Sequence, residues 1–580
     1  MVASAILLAT LSWWVVEPMS PKMRLPDAEP ADGVKGGEVQ VLAAQGEYES
    51  GSFVLRSGAD QKGVTLSWGD LTGPGGAKIP ASAVDAKVVV CWYQQGTAWY
   101  GFHSDMTRRI LTPELLVHDE KLVKVDHRTQ DNYVRTDHAD GTTDWYWTTY
   151  LPLDCDLQGG YYAFLAKWVH DAETLQPFDL EAGKCKQLWL TVGVPKGAKP
   201  GLYKGSLGLK TGDGRQEVLG TIPLVVRVLP FELPKPATFR DVGREFRVSM
   251  YWGRELSIRD DRIASDCARH NLTNPFIPQA GDVESAKSLY DALERNGLDT
   301  SMLLSHLPGA YYTMSDPPAP DDDRWDEYCG FRRTLSNAVA RVRARFGEKT
   351  IPFAYGFDEA GAAKVRAERA AWSDVHALGG RTIVSTHMRN FILYGLDAAC
   401  IPEQPAPMRK AFADTLHESN PDMMIGWYAD PHSGPENPDL TRRQYGWQSW
   451  RNNYDMVCQY VMFVRGWAEF NRPYENDLRS LTFAYAGDRQ LIDTLQFEGF
   501  REAIDDIRYS TLLKRLATDA AKSKDVDTMY LGRAALTWQA QVPYETSSLK
   551  SLRYETIDKI LKILEKKGSG IRDQGLGIWE

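Results

Sequence analysis

Cysteine is scarce in this chain of 580 residues. The seven (Cys91, Cys155, Cys185, Cys267, Cys329, Cys400 and Cys458) are scattered, and no two form a CxxC pair. That excludes the common zinc and redox signatures and supplies no disulfide framework, although one bridge such as Cys155–Cys185 stays open. Lys/Arg-rich runs are missing and the formal net charge is −10, which argues against nucleic acid or an anionic membrane as partner. No apolar run is long enough to span a membrane. The longest, Val2 to Val16, lacks a basic leading region and contains Trp13-Trp14. It reads either as a weak export signal, making the protein secreted or periplasmic, or as the first strand of a domain. A phosphate loop, GxSxG, HExxH and a dinucleotide fingerprint are all missing, so no cofactor is expected.

What is present is ordinary in bulk, with 43% hydrophobic and 25% charged residues, and too long for a single core. Aromatics stand out. The 18 Trp and 26 Tyr are enough both to fill large β-rich cores and to supply flat faces for stacking on sugar rings.

From about Trp13 to Leu233 the text is β-like. Glu38–Leu42, Gly51–Leu55, Lys87–Val90 and Gln187–Val192 are short β-branched or alternating runs separated by Gly, Asp and Pro clusters, the pattern of a β-sandwich. An insertion at about 105–149 carries His118, His127 and His138 at irregular spacings, which favours a surface loop over a metal site. Pro230, Pro234 and Pro236 mark a linker. Beyond it, strands alternate with helix-like stretches. Eight strand candidates follow: Arg247–Trp252, Asn274–Gln279, Ser301–His306, Pro352–Asp358, Arg381–His387, Met423–Tyr428, Asp455–Met462 and Leu481–Ala486. That count is the size of a (β/α)8 TIM barrel. The expected architecture is therefore an N-terminal β-sandwich (1–234), a catalytic barrel (235–515) and C-terminal helices with a Gly-rich tail (516–580).

The stretch Phe353-Ala354-Tyr355-Gly356-Phe357-Asp358-Glu359 is the most informative. Its period of two predicts a strand with Phe353, Tyr355 and Phe357 facing outward helices, and Ala354, Gly356 and Asp358 facing inward. Asp358 and Glu359 then sit at the C-terminal end of a barrel strand, where such barrels keep their chemistry; the plainer alternative is that they cap the next helix. The other strand ends offer Trp252, Glu255, His306, His387, Trp427, Tyr428, Asp430 and Tyr460, a set suited to binding a polyol. His306, His387 and His432 have no ligand spacing on one element, so no metal is expected. Glycoside cleavage ordinarily draws two carboxylates from different strands, whereas an adjacent Asp-Glu pair suits substrate-assisted chemistry on an N-acetylhexosamine, with one side chain polarising the acetamide and the other protonating the leaving oxygen.

Phe353–Glu359, together with Glu47-Tyr48-Glu49, Trp189–Tyr203 and Ile492–Tyr509, resembles glycoside hydrolase family 123 and the wider set once called DUF4091. The resemblance covers most of the chain. It implies an exo-acting β-N-acetylgalactosaminidase in which Asp358 orients the acetamide and Glu359 is the general acid/base, with Tyr460 or Tyr428 bonding the acetamide oxygen. The substrate would be an oligosaccharide or glycan. Glu498, Arg501, Asp505 and Arg508, three and four residues apart, share one helix face and predict an ion network bracing the barrel. The chain departs from characterised members in its helical C-terminus and the 105–149 insertion. Two rivals stay open: a glycosidase whose second carboxylate comes from another strand, such as Glu255 or Asp430, and a non-catalytic carbohydrate-binding protein.

Overall fold

A computed structural model of the protein describes residues 11–95, 109–148, 168–212, 217–251, 261–273, 291–299, 302–307, 318–348, 350–359, 361–387, 396–401, 405–428, 436–459, 462, 467, 482–488 and 490–568. The N-terminal part holds two large, mostly antiparallel sheets. In one, Tyr48–Ser57 pairs with Leu11–Val16 on one side and Cys185–Gly193 on the other. Residues 11–16 are therefore a strand. The second sheet is built around Gly201–Lys210 and Val218–Glu232, with Val39–Gln45 joining it in parallel. One hydrophobic cluster draws on both sheets: Phe53, Leu55, Leu188 and Leu190 from the first, and Val41, Leu207 and Val226 from the second. Alternation along each strand puts these side chains on the shared face.

The 105–149 insertion is not a loop. Arg109–Val117 is a strand of the first sheet, and Val123–Asp126, Asp131–Asp137 and Thr143–Trp147 form a sheet of their own, with Asn132, Val134 and Thr136 turned inward. Period-two patterning was there to read, but the acids and histidines between the apolar positions hid it. Its histidines have separate partners: His118 on Asp85 (2.8 Å), His127 on the Tyr93 hydroxyl (3.2 Å) and His138 on Asp144 (3.1 Å). The six described cysteines, Cys185 among them, are free thiols; Cys155 lies outside the described residues.

After the linker comes a curled parallel sheet of seven described strands: β1 (Arg247–Met250), β2 (Met302–Leu307), β3 (Ile351–Tyr355), β4 (Arg381–Ser385), β5 (Ala398–Ile401), β6 (Met424–Trp427) and β7 (Met456–Gln459). Their order is β1-β7-β6-β5-β4-β3-β2. Six of the eight predicted strands are here. The predicted strand at 274–279 lies outside the described residues, so a closed barrel is not described. β5 was missed, because Ala-Ala-Cys-Ile is short, buried on both faces and shows no alternation. Leu481–Ala486 is corrected: Tyr485–Gly487 pairs antiparallel with Gln490–Thr494, which joins Arg109–Val117 in the first large sheet. Two strands separated by only two residues can pair in no other sense.

The faces of β3 are also the reverse of the expectation. Phe353 and Tyr355 join Ile383, Ala398, Cys400, Met456 and Cys458 on the concave side, while Ala354 packs against Leu335, Val339 and Val375 of the outer helices. A narrow sheet interior is filled by large side chains, and small residues are needed where helices approach closely. Gly426 on β6 serves that filling: a Cβ there would lie 2.9 Å from the Cys458 sulfur.

The predicted ion network exists and reaches further than predicted. Helix α3 (Leu495–Ala520) carries Arg501–Glu498 (2.6 Å) and Arg508–Asp505 (2.7 Å). From helix α4 (Leu549–Lys566), Arg553 meets Asp506 (2.7 Å), Glu502 and Glu49 (2.8 Å), the last on the first large sheet. The expected division at 515 falls inside α3. In the same seam Glu47 is buried, accepting from the Ala44 N–H and the Tyr509 hydroxyl (2.7 Å). Burial first, and then the Asp505 charge, push its pKa from 4.5 up to about 8. The native state thus holds a proton here that the unfolded chain releases, so this group's stabilising contribution is lost as pH rises from 4.5 through about 8. Glu47→Gln removes that loss. Its thermal midpoint relative to wild type is expected to rise steadily between pH 5 and pH 8; a difference independent of pH would refute the assignment.

Candidate active site

β3 ends at Tyr355, and its last sheet bond is the Gly356 N–H to the Ile383 carbonyl (2.9 Å). The chain then leaves the sheet and turns through Asp358-Glu359, both exposed at the C-terminal end of the parallel strands. Each carboxylate is held by a buried tyrosine from the concave side. The Tyr355 hydroxyl donates to Asp358 Oδ1 (2.7 Å), and the Tyr428 hydroxyl, one residue past β6, donates to Glu359 Oε1 (2.9 Å). Tyr251 lies 3.4 Å from the Tyr355 oxygen and extends the chain of phenols. Burial raises the pKa of all three tyrosines, so they remain donors at any working pH. Loss of water around Asp358 raises its pKa; the Tyr355 bond opposes this and the Glu359 charge adds to it. Among the described residues neither carboxylate forms an ion pair.

Glu359 has φ of 48°, the left-handed region that a β-carbon disfavours. Such conformations cost on the order of 1 kcal/mol or more and cluster at functional sites. The helix-cap alternative finds no support in the next helix. Helix α1 (Ala362–Ala367) starts after Gly361, with no side-chain cap and no acid in its first turn.

The predicted site residues divide. Asp358, Glu359 and Tyr428 come together. His387 is exposed two residues past β4, the neighbour of β3, and position 306 lies near the end of β2 on the other side. Trp427 is corrected. It is 1% exposed, with its ring stacked on Tyr445 (4.4 Å) in the layer between sheet and helices, so it offers no face to a sugar. The strand period that turns Tyr428 inward turns Trp427 outward. Trp252, Asp430 and Tyr460, with Glu255 and His432 of the alternatives, lie outside the described residues.

Sequence reading missed Tyr355, Tyr251 and Glu368. Tyr355 sits three residues before Asp358, a spacing that could have signalled it. Glu368 could not be found this way. It lies between α1 and the next helix, α2 (Arg369–Ala377), and is fully buried, with Oε1 accepting the Phe357 N–H (2.7 Å). Burial pushes its pKa up to about 7, against the Phe357 bond and the Lys364 charge.

Among the described residues, Asp266, His270 and Asp493 are the group whose ligand atoms lie close enough (4.8 Å) to hold a metal. They border a cavity of about 190 Å³ between α3 and the first large sheet. Lys87 already meets Asp493 and Arg269 meets Asp266, so the group reads as an ion-paired seam.

With this geometry in hand, known structures can be compared. No protein-family model and no curated protein matches the sequence. Among solved structures, a family 123 glycoside hydrolase from Clostridium perfringens, described in connection with glycolipid glycan hydrolysis, superposes with a TM-score of 0.60 at 12% identity, over 97% of this chain and 99% of that one. A Paenibacillus cycloisomaltooligosaccharide glucanotransferase (TM-score 0.21, 7% identity, 68% of this chain and 53% of that one) is too unlike to argue from. The chain thus has the fold of a family 123 glycoside hydrolase over nearly its whole length.

Proposed function

We propose that the protein is a glycoside hydrolase that removes terminal β-N-acetylgalactosamine, or a related N-acetylhexosamine, with retention of configuration. The observation that carries this reading is the adjacent Asp358-Glu359 pair at the end of β3, each carboxylate held by a buried phenol. In this reading Asp358 aligns and polarises the 2-acetamido group, whose carbonyl oxygen attacks the anomeric carbon to give an oxazolinium ion. Glu359 protonates the departing oxygen and then takes a proton from the water that opens the ring. That chemistry needs neither metal nor cofactor. The fold reading extends to a β-sandwich and a (β/α)8 barrel, the latter requiring an eighth strand between β1 and β2. His387, two residues past β4, would be a candidate to bond the sugar hydroxyls. The left-handed Glu359 favours an enzyme over a binding scaffold, because strain at that residue serves placement of a reacting group.

The test is hydrolysis of aryl β-N-acetylgalactosaminide, β-N-acetylglucosaminide and β-galactoside, with product stereochemistry followed by NMR. Cleavage confined to the N-acetylated sugars, with retention, is expected. Cleavage of the plain galactoside would move the nucleophile to a carboxylate on another strand, Asp430 or Glu255. No cleavage of any would sink the hydrolase reading for this substrate class. In an active protein, Tyr428→Phe is expected to lower kcat about ten-fold with the fold intact, the size of a hydrogen bond to a charged group.

A further inference from the structure

Where β3 leaves the sheet, the chain has a backbone problem that one buried side chain solves. The Gly356 N–H is the last to reach β4. The next donor, the Phe357 N–H, points away from the ladder just before the carboxylate pair, and an orphaned buried donor there would let the turn rearrange. Glu368 reaches back eleven residues to accept it at 2.7 Å. Its carboxyl is fully enclosed, and its second oxygen has no partner among the described residues. Room for it is made by Gly356: a Cβ there would lie 2.9 and 3.1 Å from the two Glu368 oxygens and 2.6 Å from Val384. Glu368 is itself fixed at the junction of α1 and α2, its N–H on the Lys364 carbonyl and its carbonyl accepting from Trp372. A buried carboxylate is costly, and one that serves only packing is replaceable by an apolar residue. This one grips the single backbone amide between the sheet and the catalytic turn.

We propose that Glu368 is a positioning residue for the Asp358-Glu359 pair: it anchors the Phe357 amide and so sets where both carboxylates stand relative to the bound sugar. The proposal deepens the reading above and rests on it for its effect on turnover, though not for the anchoring contact. The physical expectation is a loss in kcat rather than in binding, since displacing a reacting group by about 1 Å costs on the order of 10²-fold while remote contacts to substrate survive.

The experiment has two parts. In the first, hydrogen exchange at the Phe357 amide is compared between wild type and Glu368→Ala, with no substrate present. Protection reduced at least ten-fold at this amide, with Val384 and Ile383 unchanged, is expected; unchanged protection at Phe357 would overturn the anchor whatever the protein's activity. In the second, on the N-acetylated aryl glycoside that wild type cleaves, Glu368→Ala is expected to lower kcat 10- to 100-fold with KM within three-fold. Glu368→Gln, whose amide oxygen still accepts the Phe357 N–H, is expected to recover most of that loss. Gly356→Ala, which evicts the carboxyl, should match Glu368→Ala, and the double variant should be no worse than either alone. A Glu368→Ala enzyme with wild-type kcat, a Gln variant no better than Ala, or strictly multiplying losses in the double variant would each overturn the positioning role. If wild type cleaves none of the sugars, the functional reading fails and the exchange experiment still decides the anchor.

Discussion

Glu359→Gln is expected to abolish turnover of natural glycans, with a loss of about 10³-fold or more, and to slow the first step far less for substrates that need no acid. The size follows from the residue's two tasks. On the proposed mechanism it protonates the departing oxygen in the first step and activates water in the second, so a natural alcohol leaving group would lose help twice. A nitrophenolate leaves readily without a proton, so its first step is expected to slow only about ten-fold. The loss should therefore grow with the leaving group's pKa. Asp358→Asn is expected to behave differently. If Asp358 acts on the acetamide as proposed, its loss should be similar for every leaving group. Plotting log kcat/KM, which reports the first step, against leaving-group pKa for both variants tests this directly. Parallel lines for wild type and Glu359→Gln would remove Glu359 as the acid, and a slope change in Asp358→Asn would exchange the two roles. The neighbouring tyrosines make the assignment physical: Tyr428 holds Glu359 on the β6 side, while Tyr355 holds Asp358 from beneath.

The largest stability effect is expected at Arg553. Its guanidinium is buried and meets Glu49, Glu502 and Asp506, with Arg442 sharing Asp506 from the other side (2.7 Å). Removing it leaves carboxylates in the interior without their counter-charge, which costs about 3–5 kcal/mol for a broken buried pair. Arg553→Ala is expected to lower the unfolding free energy extrapolated from urea titration by that amount, or to yield little soluble protein. Arg553→Lys should recover only part, because an ammonium cannot divide its donors among several carboxylates as the planar fork does. Three elements distant in sequence meet at this residue, so its loss is expected to separate the first large sheet from α3 before the parallel sheet unfolds. An Arg553→Ala unfolding free energy within about 1 kcal/mol of wild type would mean that the seam contributes no more than a solvated surface pair.

Much of this architecture was legible in the chain. Six strands of the parallel sheet announced themselves because each is an apolar run bounded by polar or turn residues, and the Asp358-Glu359 pair because acids ending such a run are unusual. The ion network was legible from spacing: Glu498, Arg501, Asp505 and Arg508 fall on one helical face whatever the fold. Its reach was not. Nothing in Glu49 or Arg553 says that they converge, because ion pairing across 504 residues is settled by packing and not by local pattern.

Two of the errors share one cause. β3 alternates so cleanly that its two faces were obvious, yet which face turns inward depends on whether rings or small residues fill the concave side, and only the assembled sheet decides that. The same ambiguity made Trp427 look like a sugar platform when it is packing for Tyr445. The strand expected at Leu481–Ala486 left the parallel sheet, because its two-residue connection to Gln490–Thr494 imposes antiparallel pairing. By itself, then, the sequence determined the periodicities, the elements they form and the pair of carboxylates at the end of one strand, since these rest on local geometry and side-chain chemistry. The tertiary structure alone decided which phenols grip those carboxylates, which buried acid anchors the turn and how three distant segments share one charge seam. Those are contacts between residues far apart in the chain, and no local rule fixes them.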